Sequence, residues 1–278
     1  FSNPSRSGFL PLKFSPYWLC FDKQGRFLYV AGNSQVLQIL DARQGFKLVR
    51  NLPMAGVVTD LRLSRDGRYL LAALMGGKPG VVLVDTNTTL PAGFLATDSS
   101  PWSACLVGNR VFACSGDART GQVVALDAVT GAEVGRCKVG NCPTSIEATP
   151  DGSRLLVACS GHACVSIVDS LSVKELGRVA VDVLPQKLAI SPDGSRCLVS
   201  NRENNTVSVI DLKALQVMNT TEVARAPVGI CYSRDGRHAY VACRDSGVIM
   251  VLDGKSGQVL HTTLPMPHAV PTGLTILP

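Results

Sequence analysis

Six aspartates recur along the chain at a nearly constant interval: Asp41, Asp85, Asp127, Asp169, Asp211 and Asp253. Successive gaps are 44, 42, 42, 42 and 42 residues. Each aspartate ends a short apolar run, such as Val81-Val82-Leu83-Val84, Val165-Ser166-Ile167-Val168 or Ile249-Met250-Val251-Leu252. Runs of four or five residues are strand length, and a period near 42 residues built of strands and turns is that of a propeller blade. The reading is an all-β chain, a β-propeller of four-stranded antiparallel blades, and the unbroken period makes residues 1–278 one domain.

The fifth unit shows the internal plan. Pro185 to Ile190 reads as the first strand, Ser191-Pro192-Asp193-Gly194 as a tight turn and Cys197 to Ser200 as the second strand. Proline presets φ and glycine accepts positive φ in such a turn. A polar loop, Asn201 to Asn205, leads to the third strand, Thr206 to Ile210. Asp211 then opens the next turn by accepting backbone N–H groups, and Leu215 to Thr220 completes the unit. The turn recurs as Ser64-Arg65-Asp66-Gly67, Thr149-Pro150-Asp151-Gly152 and Ser233-Arg234-Asp235-Gly236. An opening proline recurs at 16, 101, 143, 185, 227 and 271. The repeats are 16–55, 56–100, 101–142, 143–184, 185–226 and 227–266, with 1–15 and 267–278 as a closing blade shared by the termini. Closure by both termini removes open sheet edges. It favours seven blades; the alternative is six blades with extra end strands.

These units resemble the YVTN-type β-propeller repeats. Pro227-Val228-Gly229-Ile230 through Asp253 follows that pattern almost throughout, and the likeness covers residues 16–278. No tryptophan precedes any of the six aspartates, which separates the chain from WD repeats. The resemblance implies the fold much more than an activity. Proteins of this kind include surface-layer and periplasmic ones, and related propellers carry lactonase or electron-transfer activities.

Composition narrows the classes. The net charge is +6, with Lys and Arg scattered rather than clustered, so no nucleic-acid footprint is visible. No apolar run approaches the roughly 20 residues of a membrane helix. Residue 1 is Phe, so the lack of a visible leader carries no weight. Ten cysteines suggest a reducing compartment, whereas the resemblance points to the envelope. Cytoplasmic and extracytoplasmic (periplasmic or cell-surface) locations both stay open. Several cysteines hold equivalent places in different blades, too far apart to bridge, so they read as small buried hydrophobes.

Antiparallel connectivity sorts the loops onto two faces. Turns after the first and third strands share one chemistry and read as structural. Loops after the second and fourth strands vary, and irregular loops on a regular scaffold are where binding concentrates. The binding-face candidates are Arg119, His162, Arg202, Glu203, Arg244, Asp245 and His268. First strands line the central channel, where alternation places Asp60, Arg62, Glu147 and Lys187 inward as a polar network. The motif Cys159-Ser160-Gly161-His162-Ala163-Cys164, with Cys142 nearby, offers Cys142, Cys159, His162 and Cys164 as metal ligands in no standard zinc spacing.

No nucleophile elbow, H-E-x-x-H pair, dinucleotide fingerprint or C-x-x-C-H motif is present. The expected function is therefore a non-enzymatic scaffold, with no cofactor, binding a protein or peptide partner through the variable loop face. The alternatives are a lactonase-like metal-dependent hydrolase with its site at the channel mouth, and a redox propeller.

Overall fold

The computed structural model describes residues 12, 14–263 and 274–275. Within them the chain forms six antiparallel sheets of four strands, each in simple sequential order. Blades 1 to 6 span residues 16–53, 57–96, 101–138, 143–180, 185–222 and 227–262. Their inner strands are Pro16–Phe21, Val57–Leu63, Pro101–Val107, Pro143–Ala148, Pro185–Ile190 and Pro227–Tyr232. Consecutive inner strands pack against each other around an axis. No helix among the described residues is long and apolar enough to cross a membrane.

The expected seven blades are not supported: the described residues make six. The proposed closing blade, 1–15 with 267–278, lies almost wholly outside them. Of its residues, Leu12 and Phe14 pack on a cluster of Leu28, Val30 and Leu40 in blade 1. Thr275 Oγ1 accepts the Phe21 N–H at 3.3 Å.

The turn chemistry explains the repeat. Asp66 accepts from Ser64 Oγ at 2.6 Å and from the Arg68 N–H at 3.0 Å, while Ser64 Oγ accepts from the Tyr69 N–H. Gly67 has φ 78°, a conformation a side chain would strain. The same pattern holds Asp151, Asp193 and Asp235. The six periodic aspartates act in the turns after the third strands: Asp211, for example, accepts from the Lys213 and Ala214 N–H groups at 2.8 and 2.7 Å. The 44-residue gap also has an explanation. The turn after Asp41 closes at Phe46, five residues on, where the turn after Asp85 closes at Thr89, four on. The second extra residue sits in the hairpin joining Leu74 to Gly80, one longer than that joining Asn201 to Thr206.

These carboxylates predict an acid limit. Hydroxyl and backbone donors hold Asp151 and Asp193 at about 2, against an ordinary 3.8, and lower Asp66, Asp85, Asp127, Asp169, Asp211, Asp235 and Asp253. A folded pKa below the unfolded one gives stability that is complete above the unfolded value and lost as pH falls through the folded one. The thermal midpoint should therefore be nearly flat above pH 5 and fall steeply between about pH 4 and 2. A midpoint indifferent to that window would refute the turn assignment.

The core lies between blades rather than within them. Tyr29, Leu37 and Ile39 of blade 1 meet Leu70, Ala72 and Leu74 of blade 2. Phe112 and Cys114 of blade 3 meet Ile146, Leu155 and Val157 of blade 4. Blades 2 to 5 thus bury both faces against their neighbours, which is why their middle strands read as almost uninterrupted apolar runs.

Candidate binding mouth and channel

Each inner strand begins with a break in register. In blade 1, Pro16 pairs with Gly32 and Trp18 with Ala31, so the register shifts at Tyr17. The same shift sets aside Thr59, Trp102, Thr144, Gln186 and Val228. A bulge of this kind re-aims one side chain and bends the strand. All six bulged residues line a single cavity of about 630 Å³ at the channel mouth on the variable face, together with Trp18, Met75, Cys142, Ser160, Lys187 and Arg244.

The collar has two kinds of member. Thr59 Oγ1 donates to Pro101 O at 2.8 Å and Thr144 Oγ1 to Pro185 O at 2.9 Å, tying each blade to the next. Tyr17 and Trp102 instead stay 42% and 40% exposed. The Trp102 indole N–H donates to Gly116 O at 3.2 Å, which fixes the ring while leaving its face open. A second cavity of about 560 Å³ shares Met75 and Trp102 and adds Arg119, Gln122, Lys138 and Asn141.

The charge at this face is lopsided. Among the described residues no acidic one lines the mouth cavity, whose charged members are Lys187 and Arg244. Asp117 reaches the second cavity, but its Oδ1 already accepts from the Arg119 and Thr120 N–H groups and from Thr120 Oγ1. Arg244 Nε pairs with Asp245 at 2.9 Å.

Below the collar the inner strands bring Asp60, Arg62, Glu147 and Lys187 into one network. Lys187 Nζ lies 2.7 Å from Asp60, while Arg62 reaches Asp60 at 3.2 Å and Glu147 at 3.3 Å. Arg62 also donates to Ser145 Oγ at 2.8 Å, and Ser103 Oγ donates to Asp60. Lys187 Nζ sits 4.1 Å from the Trp18 ring centroid, a cation–π contact that joins the network to the mouth. Burial pushes the Asp60 carboxyl up, but Lys187 and Arg62 outweigh it and hold the group below the ordinary carboxylate range. At Glu147 burial wins over Arg62 and the carboxyl is raised. Burial likewise lowers Lys187. The neighbouring channel thiols Cys20 and Cys231 are pushed up to about 12 by burial, so they stand as thiols rather than nucleophilic thiolates.

Among the residues singled out from the sequence, Arg119 and Arg244 line the two cavities. Arg202 and Glu203, on a blade 5 loop, line neither cavity, their N–H groups donated to Leu184 O and Val183 O. His162 Nδ1 accepts the Asn141 N–H at 2.8 Å. His268 lies outside the described residues. The four suggested metal ligands are not brought together: Cys142 faces the mouth, while Cys159 and Cys164 are buried opposite one another. Among the described residues no three His, Cys, Asp or Glu side chains are grouped to hold a metal ion. The ten cysteines are all free. Sequence reasoning missed Tyr17, Met75 and Trp102.

A family model described as a YNCE-like beta-propeller matches residues 60–272. The chain belongs to that family. Solved structures with the same fold include hydrazine synthase of Kuenenia stuttgartiensis, with a TM-score of 0.74 at 18% identity over 86% of this chain and 83% of that one. The Cps50 (Swd1) beta-propeller domain of Myceliophteria thermophila matches with a TM-score of 0.75 at 17% identity, over 91% of this chain and 87% of that one. At such identities the likeness speaks to fold alone. No curated protein matches the chain.

Proposed function

We propose that this propeller is a non-enzymatic binding module that seats an extended segment of a partner protein on its variable face. The collar carries the reading: one bulged residue per described blade, with Tyr17 and Trp102 open at the rim of a single cavity. Rigid aromatics at a concave centre with a polar surround are the usual anchors of recognition. An apolar or aromatic side chain of the partner fills the mouth. Flanking acidic groups meet Lys187, Arg244, Arg119 and Lys138.

A hydrolase with a hard cation over the channel would need carboxylate and carbonyl oxygens at the mouth. Among the described residues the lining offers one side-chain amide, Gln186, and no carboxylate; the rest is aromatic, aliphatic, hydroxyl, thiol and cationic, a poor fit to that demand.

Random peptides displayed and selected on the wild-type propeller test the proposal. Enriched peptides should combine an aromatic or large aliphatic residue with acidic neighbours. By calorimetry a Tyr17→Ser/Trp102→Ser double variant should bind them at least about 30-fold more weakly, the loss of roughly 2 kcal/mol typical of an aromatic anchor. Selection that enriches nothing, or peptides indifferent to both substitutions, would overturn the reading.

A further inference from the structure

The Cys159–Cys164 hairpin holds a feature that binding at the mouth does not use. We propose that Cys159 and Cys164 form a reversible dithiol–disulfide site, oxidised by peroxide. The two residues are direct cross-strand partners at the end of the hairpin, closing the loop Ser160–Ala163. Opposed residues of an antiparallel pair have Cα atoms about 4.5 or 5.5 Å apart, inside the span a disulfide bridges without backbone movement. Both sulfurs also converge on one point: a methyl placed on Gly140 would lie 3.0 Å from Cys159 Sγ and 3.1 Å from Cys164 Sγ. Cys159 Sγ donates to Val157 O at 3.4 Å.

Their roles differ. The neighbouring Cys159 and the Arg178 guanidinium lower the Cys164 thiol, against burial and the opposing Glu175 carboxylate. Cys159, fully buried beside Cys164, is raised. Ser166 Oγ lies 3.6 Å from Cys159 Sγ. Cys164 retains 5% exposure, enough to mark it as the side a small oxidant reaches first. Cys20, Cys105, Cys114, Cys137, Cys197, Cys231 and Cys243 are all raised by burial, so Cys164 is set apart from them.

The chemistry balances. The Cys164 thiolate attacks one peroxide oxygen, the O–O bond breaks, and hydroxide leaves with the proton that Cys164 had released. The resulting sulfenic acid is attacked at sulfur by Cys159. The S–S bond forms, and the sulfenic hydroxyl departs as water with the Cys159 proton. Two thiols are oxidised by two electrons, and one peroxide becomes two waters. Because Ser160 and Cys142 line the mouth, the bridge would fix one side of the proposed binding cavity. The site itself needs no assumption about what that cavity holds.

Peptide mapping of the folded wild-type protein after peroxide treatment tests this. Free thiols are alkylated after unfolding, and trypsin releases residues 155–174 with both cysteines. The expected product is that peptide unalkylated and two hydrogens lighter, returning to the doubly alkylated form after reduction. A Cys159→Ser variant should stop at a sulfenic acid on Cys164, captured by a cyclic 1,3-dione. Recovery of 155–174 with both thiols alkylated, or of a bridge from Cys164 to Cys142 or Cys114, would overturn the proposal. The wild-type map decides it even if the variant fails to fold.

Discussion

Replacing Asp60 by asparagine is expected to destabilise the propeller by about 3–5 kcal/mol, the scale for removing one partner of a buried charge network. Asp60 is 3% exposed and takes both Lys187 and Arg62. Without its charge, Lys187 retains the Trp18 ring and Arg62 retains Glu147 and Ser145. Two cations would then share one carboxylate that burial already raises. Adding Lys187→Met to Asp60→Asn should restore most of the loss, since an uncompensated charge costs more than an apolar replacement. Urea unfolding measures it: the single variant shifts the midpoint strongly at constant slope, and the double variant returns toward wild type. A single variant within 1 kcal/mol of wild type would show that the network contributes little.

The pH dependence separates the two carboxylates. Asp60 has a depressed folded pKa, so its contribution is present above the ordinary carboxylate range and lost as pH falls through the folded value. Glu147 has a raised one, so its contribution is present below the ordinary range and lost as pH rises through the folded value. Asp60→Asn should therefore flatten the acid limb of stability, whereas Glu147→Gln should be close to neutral, or slightly stabilising, near pH 7.

The channel network and the mouth differ in how far the sequence reveals them. Alternation along a strand fixes which side chains share a face, so Asp60, Arg62, Glu147 and Lys187 were legible as an inward set. Their pairing was not, because Asp60 and Lys187 come from blades 2 and 5, 127 residues apart, and meet only across the axis. The collar escaped for the opposite reason. Strict alternation turns the residue after each opening position away from the channel, and a one-residue bulge reverses that. The signal lay in one column of the repeat: Tyr17, Thr59, Trp102, Thr144, Gln186 and Val228, where two large aromatics stand among polar and small residues. The spacing of aspartates, by contrast, specified the blades, because each is held by hydrogen bonds within its own turn. The dithiol was visible as a motif, but its partner choice needed the register that sets Cys159 against Cys164 rather than against Cys142.

Truncating Phe112 to alanine is the second large expected loss, about 3–5 kcal/mol for a fully buried phenyl ring. Phe112 has no solvent exposure, sits opposite Cys105 and Ala125 in its own sheet, and packs with Ile146, Leu155 and Val157 of blade 4. The ring therefore belongs to the joint between blades as much as to its own blade. Small side chains such as Ala113 and Cys114 flank it in its strand, and a close-packed interior collapses only partly around a void. In a repeat architecture, stability is the sum of unit and interface contributions, so weakening one interface should also loosen the coupling between blades 3 and 4. The urea transition of Phe112→Ala is expected to move to lower concentration and to broaden, with a smaller slope than that of Asp60→Asn. Leu176→Ala provides the contrast. Leu176 lies on an outer strand, 56% exposed, and its removal should change stability by no more than about 0.5 kcal/mol. Equal losses at Phe112 and Leu176 would mean that the blades do not hold together through the clusters between them.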